Sequence, residues 1–438
     1  MATGLISPQN GGDLCAHWAD EARNWTSDHS TVWDGHKNRV YMLTDEGKMS
    51  CPPNIATNWK KLPFLIQSDI IFNIQYMKLR LFQLLFFISV IFPSFALASY
   101  HFSNFRGKPP IHTYGGTSKA PMGITPAQIK KIYDLPADGG RGTIAIIGAY
   151  DDGSIEKDLN DFSKQFNLPE CTTKNGCFEK RKMSRTIKSN GGWNLETSLD
   201  VEWAHAIAPR AKILLVEATT PSGANLLKAI DYAAGRKDVI AISMSWGGGE
   251  FPEEVSLDSH FANSRAIFFA SSGDNGAGAS WPASSPYVVG VGGTTLFLNN
   301  DGVVKNETAW SGSGGGISAY EKQPSYQSDY SIAKSGGHRA IPDVAYDADP
   351  KSGFPIIRDG KWQTVGGTSA GAPQWAAITA LGSGAGNENF YADKALDNHG
   401  SYFTDIVSGT NGNCGYLCKA RKHYDYVTGL GTPLTVKF

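Results

Sequence analysis

The chain has 438 residues, with 40 Lys and Arg against 41 Asp and Glu, a formal net charge of −1. So even a balance, with no dense basic stripe, gives no ground for a nucleic-acid partner. The length allows two or three average domains or one large α/β catalytic domain with additions, and 49 glycines suit a loop-rich enzyme fold.

Residues 1–76 contain four tryptophans and two cysteines, Cys15 and Cys51, without a sustained period or motif, so no role is assigned to them. Residues 77–98 read as a secretory signal. Lys78 and Arg80 form a basic start, Leu81 to Pro93 is mostly apolar, and Ala96-Leu97-Ala98 is a small-residue cleavage site that would leave Ser99 first. A signal belongs at the start of a chain, which points to Met77 as the true initiator and to a secreted or extracytoplasmic product. A retained signal anchor, the one route to a membrane partner, is the alternative. Residues 99–119 read as a short linker, and 120–438 as the main domain.

Within that domain, Thr143–Ala149 reads as a buried strand, Asp158–Phe166 as helix, Lys212–Ala218 as strand and Leu226–Ala234 as helix. Val239–Met244, Ala266–Ala270 and Tyr287–Val291 follow as further strands. The alternation predicts an α/β fold with a largely parallel sheet flanked by helices. Cys171 with Cys177, and Cys414 with Cys418, are local pairs whose short loops can close as disulfides in an oxidising compartment. Zinc is the competing reading, and the unequal spacings disfavour it.

Three segments carry chemistry. The stretch Gly192 to Pro209 has helix formers and stops at proline; on such a helix Glu196 and Asp200 share one face, while His205 lies about 180° around from Glu196. A pair of carboxylates four apart is usually a solvated face, but the Trp, Leu, Val and Ala around this one favour burial. Phe268 to Gly276 is an apolar strand running into a turn with Asp274, where a ligand-binding aspartate and a simple turn residue are equally good readings. Gly366-Gly367-Thr368-Ser369-Ala370-Gly371-Ala372-Pro373 sets a serine beside the backbone N–H groups of a helix start, which suits acyl transfer as well as it suits helix capping.

In this order, and together with Ser243-Met244-Ser245-Trp246-Gly247, Ser313-Gly314-Gly315-Gly316 and Thr428-Gly429-Leu430-Gly431-Thr432-Pro433, these segments resemble the sedolisin family of serine-carboxyl peptidases, over roughly Ala120 to Phe438. The resemblance implies a subtilisin-like fold, Ser369 as nucleophile, Glu196 as its general base, Asp200 as the carboxylate that tunes Glu196, and Asp274 as an oxyanion donor. It also implies a substrate-binding segment at Ser245, Trp246 and Gly247, where a peptide adds as a strand. Calcium (Ca2+) is implied at the carboxylates of Asp405 and Asp425 and the carbonyls of Ile406, Arg421 and His423. Arg421 and His423 stand where the family usually has glycine, which puts the backbone angles in question. The family is also made with a large prodomain, for which the stretch after Ser99 leaves no room.

A carboxylate base must be ionised and a carboxyl donor protonated, so the expected activity is confined to acid and bell-shaped in pH. The reading is a secreted, acid-acting endopeptidase on peptide or protein substrates. A tripeptidyl peptidase, a catalytically silent peptide-binding homologue and a histidine-dependent subtilisin are the alternatives.

Overall fold

The computed structural model describes residues 101–384, 386–392 and 402–436, together with three short upstream strands. Residues 77–98, with the expected signal or anchor, lie outside the described residues. The chain divides into two compact units, Met1–Leu97 and Ala98–Phe438. In the first, Thr31–Asp34, Arg39–Leu43 and Met49–Ser50 form an antiparallel ladder in which Trp33 pairs with Val40 and Met42 with Ser50.

The second unit is built on an eight-stranded sheet. Its strands are β1 (Thr143–Ala149), β2 (Phe178–Lys182), β3 (Lys212–Ala218), β4 (Val239–Met244), β5 (Ile267–Ser271), β6 (Val288–Leu298), β7 (Val304–Ala309) and β8 (Val344–Asp347). They lie in the order β7-β6-β5-β4-β1-β3-β2, with β8 also beside β6. Every pairing is parallel except that of β6 with β7. All seven residues of β1 are buried, and its apolar run lacks alternation because helices cover both faces. Ile144 and Ile146 join Ile213 and Leu215 in the cluster holding Leu199, Trp203 and Trp375. Ala145 and Ile147 join Leu214 and Val216 on the opposite side, with Leu226 and Ile230. The period of two thus divides one apolar strand between two cores.

The four longest helices among the described residues are α1 (Ile155–Gln165), α2 (Gly191–Ile207), α3 (Gly223–Ala234) and α4 (Gly371–Ile378). Asn190 caps α2 by accepting from the N–H groups of Gly192 and Trp193 at 3.1 and 3.2 Å. From Glu196 onward every residue of α2 is buried, as in a helix enclosed on all sides. The expected strand at Tyr287–Val291 continues to Leu298. Its second half, Gly292-Gly293-Thr294-Thr295, lacks the bulky apolar pattern because β7 and β8 supply its pairing there.

Both local cysteine pairs are disulfides, Cys171–Cys177 and Cys414–Cys418. Behind β6, the fully buried Arg339 clasps Asp343, with Nη1 and Nη2 at 2.7 and 2.5 Å from its two oxygens. Asp343 also accepts from the Gly290 N–H at 2.7 Å and the Tyr391 hydroxyl at 2.9 Å. The loops after β4 and β5 leave the carboxyl edge of the sheet, where α/β folds place their ligands.

Candidate active site

Glu196 and Asp200, one turn apart on α2, are both buried, at 2% and 1% exposure. The Ser245 hydroxyl, one residue beyond β4, donates to Asp200 Oδ1 at 2.6 Å and lies 3.3 Å from the Ser369 carbonyl oxygen. This hydroxyl ties helix α2 to the serine turn. Burial, then the negative charge of Asp200, pushes Glu196 well above the usual carboxylate range, and the Ser369 hydroxyl pulls the other way. Burial raises Asp200 to about 8 against the pull of Ser245 and Glu196. Two acids in one dry site share protons and do not both ionise, so their titration belongs to the pair.

Ser369 sits in a single 3-10 turn, Thr368–Ala370, ahead of α4, rather than in the helix proper. Ser369 Oγ and both Glu196 oxygens are buried, and none closes a hydrogen bond of full geometry. Gly367, at φ +122°, makes the approach possible. A Cβ there would stand 2.2 Å from the Pro110 carbonyl oxygen and 2.5 Å from Asp274 Oδ2.

Asp274 follows β5, and its Oδ1 accepts from both the N–H and the hydroxyl of Thr368 at 2.8 Å. Burial raises its carboxyl above the usual range, while His112 and the Thr368 bonds oppose the rise. His205, by contrast, turns its Nε2 to the Pro169 carbonyl at 2.9 Å, as the helix phase predicted, and takes no part.

The remaining groove, about 680 Å³, is lined by Gly247–Gly249, by Ser272–Ser280 and by the chain's own residues 106 and 108–112. This segment lies in it, held by isolated bridges at Arg106 and Lys108, and runs into the strand His112–Ser118. Lys108 exchanges both backbone hydrogen bonds with Gly247, at 3.0 and 3.2 Å. The Pro110 carbonyl accepts from the Ser369 N–H at 3.4 Å. Beyond it, His112 pairs with Gly366, and Thr113 and Tyr114 with Val365 and Thr364, on the strand Lys361–Gly366 that leads to the serine. Sequence reasoning took these residues for a linker; their only signal was Lys108-Pro109-Pro110, an extended and hydrogen-bond-poor run. It also missed Thr368 as the residue orienting Asp274, although Thr368 stood inside the Gly-Thr-Ser-Ala motif.

The subtilase family profile matches residues 189–407, half of the chain. The chain belongs to this family, in its sedolisin-type serine-carboxyl branch. Sedolisin of Pseudomonas sp. (strain 101) is 29% identical over 365 residues, covering 72% of this chain and 60% of the relative. Kumamolisin of Bacillus sp. (strain MN-32) is 31% identical over 359 residues, covering 73% and 64%. The chain therefore spans about 60% of the length of these two curated relatives. A solved Pseudomonas sedolisin, titled a serine-carboxyl proteinase complexed with pseudo-iodotyrostatin, superposes with a TM-score of 0.62. It is 28% identical and covers 72% of this chain and 96% of that one.

The other family positions divide by what their atoms do. Trp246 is fully buried, its Nε1 donating to the Ile147 carbonyl at 2.9 Å and its ring packed near Phe105 and Trp281. Of the sedolisin substrate-binding segment, then, only the Gly247 backbone meets the strand in the groove, while Ser245 faces Asp200 and the Trp246 ring builds core. Gly314 lines the groove with its N–H on the Gly273 carbonyl at 2.7 Å. A Cβ there would fall 2.1 Å from the Ser272 carbonyl oxygen, so the glycine run is a close-packed wall and not a loose loop.

The two C-terminal loops expected to hold calcium also meet. The His423 N–H donates to Asp405 Oδ2 at 2.8 Å. Asp425 accepts from the N–H groups of Arg421, Val427 and Thr428 at 3.0, 2.8 and 2.9 Å. His423 adopts φ +67°, the left-handed angle that glycine takes freely and that costs another residue about 1 kcal/mol.

Proposed function

We propose that the protein is a secreted, acid-acting serine-carboxyl endopeptidase. The observation that carries this reading is that Glu196 interacts with Asp200, Ser369 and Asp274 at once, beside a groove that Asp274 lines and in which the Pro110 carbonyl already lies on the Ser369 N–H. Glu196, ionised within the shared-proton pair, takes the Ser369 proton as Oγ bonds to the substrate carbonyl carbon. The oxygen that becomes negative receives the Ser369 N–H and the protonated carboxyl of Asp274. The peptide C–N bond breaks, the proton passes from Glu196 to the departing nitrogen, and water, activated by Glu196, hydrolyses the ester to a new carboxylic acid. Ser245 holds Asp200 so that the pair keeps its orientation.

The pH sign follows from the two requirements. Below the acid limb both members of the pair carry protons and no base exists; above the other limb Asp274 ionises and stops donating. Burial raises all three carboxyls, so hydrolysis of an unfolded protein followed from strongly acid to mildly alkaline pH should be bell-shaped, with both limbs above the ordinary carboxylate range, and lost once Asp274 has ionised. Mass spectra of the products should show internal fragments; serial tripeptides would point to a tripeptidyl peptidase. A folded protein most active in mild alkali would sink the carboxylate-base reading.

The second part of this reading is calcium. Asp405 and Asp425 would supply carboxylate oxygens, and Ile406, Arg421 and His423 carbonyl oxygens, a hard-oxygen set suited to that ion. Burial raises the Asp425 carboxyl to about 7. The guanidinium of Arg421 turns away from it onto the Tyr416 ring, 4.3 Å from the centroid, so that side chain does not neutralise it. Bound calcium would cross-link the two loops. Chelation should lower the thermal midpoint by roughly 2–4 °C for each kcal/mol of binding removed. Asp425→Asn should be insensitive to chelator; an unchanged midpoint in the parent protein would count against the site.

A further inference from the structure

The segment in the groove does more than fill it. Lys108 pairs with Gly247, the Pro110 carbonyl lies on the Ser369 N–H, and His112 pairs with Gly366. Contacts on both sides of Ser369 fix the register, and the carbonyl on the Ser369 N–H is that of Pro110, so Pro110–Ile111 is taken as the bond to be cut. His112, the second residue beyond it, sets Nε2 3.1 Å from Asp274 Oδ2, the oxygen not used by Thr368. The imidazole is 52% exposed while the Asp274 carboxyl is 4% exposed, so the imidazole keeps its hydration while the carboxyl has His112 and Thr368 in place of water. The Trp310 ring, 6.1 Å from the imidazole and edge-on to it, flanks His112.

We propose that Asp274 reads the residue two positions beyond the bond to be cut, and that a cationic side chain there, His112 in the uncut chain, holds Asp274 ionised and delays cleavage until stronger acid. The inference rests on the peptidase reading above and adds a specificity rule to it. An ionised Asp274 cannot donate to the oxygen of the reacting carbonyl. A cation against it favours that ionised form, so the proton needed for donation binds only at lower pH. Facing Asp274 are His112 from the groove segment, the Thr368 N–H and hydroxyl from the serine turn, and the charge of Glu196 from α2, itself coupled to Asp200. Of these, only His112 is a cation, and the pairing in turn raises the imidazole above its ordinary value. Between the titrations of the two partners the pair is an ion pair and the site is silent. Below that window Asp274 is neutral and the bond is open to attack. Cutting makes a Ser369 ester of the Pro110 carbonyl and sends the proton to the Ile111 nitrogen; water then releases the Pro110 carboxyl.

The test uses the full chain and reads its own cleavage by intact mass. The parent chain, incubated across the acid range, should yield a fragment beginning at Ile111, absent in Ser369→Ala. His112→Gln should move the half-maximal pH of this cleavage upward by about one unit, the lower end of what an opposite charge at this distance produces. A matched pair of free peptides that carry His or Gln two positions beyond one scissile bond should show the same displacement in the pH profile of kcat/KM, so the result does not depend on the folding of the variant. Coincident pH profiles for both pairs would overturn the inference while leaving the peptidase intact, as would a cut at another bond. Absence of any cleavage, of itself or of added protein, would instead remove the reading on which it stands.

Discussion

Replacing Ser369 by Ala is expected to abolish turnover, and Glu196→Gln to lower kcat by about 10³-fold, within the range that positioned acid–base groups contribute. The two losses should not add. A serine without its base and a base without its serine disable one proton transfer, and the double variant should be little worse than Ser369→Ala. Gln is the informative partner for Glu196. It keeps the volume of a side chain that is 2% exposed and cannot take the proton, so folding persists while chemistry stops. Asp200→Asn should lie between parent and Glu196→Gln. It removes the negative charge that, after burial, pushes Glu196 upward, so the acid limb of the profile should move to lower pH. The measurement is kcat against pH for the parent and its four variants on one substrate. A Glu196→Gln enzyme within a few-fold of the parent would remove glutamate from the role of base.

The largest expected effect on stability lies away from the groove. Arg339 and Asp343 have no exposure, and the carboxylate has been withdrawn from water into bonds with Arg339, the Gly290 N–H and the Tyr391 hydroxyl. Arg339→Met leaves the bonds from Gly290 and Tyr391 in place but strands a buried negative charge, a change that typically costs about 3–5 kcal/mol. The double variant Arg339→Met, Asp343→Leu should recover part of the loss, because two apolar side chains leave no buried charge behind, although the Gly290 N–H and the Tyr391 hydroxyl then lack this acceptor. Denaturant midpoints of the three proteins decide it. A single variant as stable as the parent would mean that water reaches Asp343 after all.

Much of this was legible in the sequence wherever one physical rule acted locally. Thr143–Ala149 and Lys212–Ala218 stand within their predicted bounds because a doubly covered strand carries an apolar run without alternation, here Ile144–Ile147 and Ile213–Val216. The phase of α2 separated Glu196 and Asp200 from His205 because a helix permits no other arrangement. What escaped depended on distant partners. The far half of β6 is set by β7 and β8, and its Gly and Thr residues carry no apolar signature of their own. Trp246 entered the substrate-binding segment through the sedolisin resemblance, while in the structure the Ile147 carbonyl, 99 residues earlier, takes its N–H. No spacing rule could place His112 beside Asp274 across 162 residues (274 − 112).

The segment formed by residues 106–114 is tethered to the domain whose groove it lines, and a tether changes the arithmetic of competition. A covalently linked ligand on a short connection faces its site at an effective concentration in the millimolar range, whatever the bulk concentration of protein. A free peptide must contend with that local concentration, so dilution does not relieve the blockade and the chain carries its own competitor to every place it is exported. Cutting the Pro110–Ile111 bond would end that advantage for residues 106–110, whose Arg106 and Lys108 bridges to Ser222 and Gly247 would then have to hold as an independent peptide against bulk solvent. The strand from His112 would stay paired with Lys361–Gly366 as a wall of the groove.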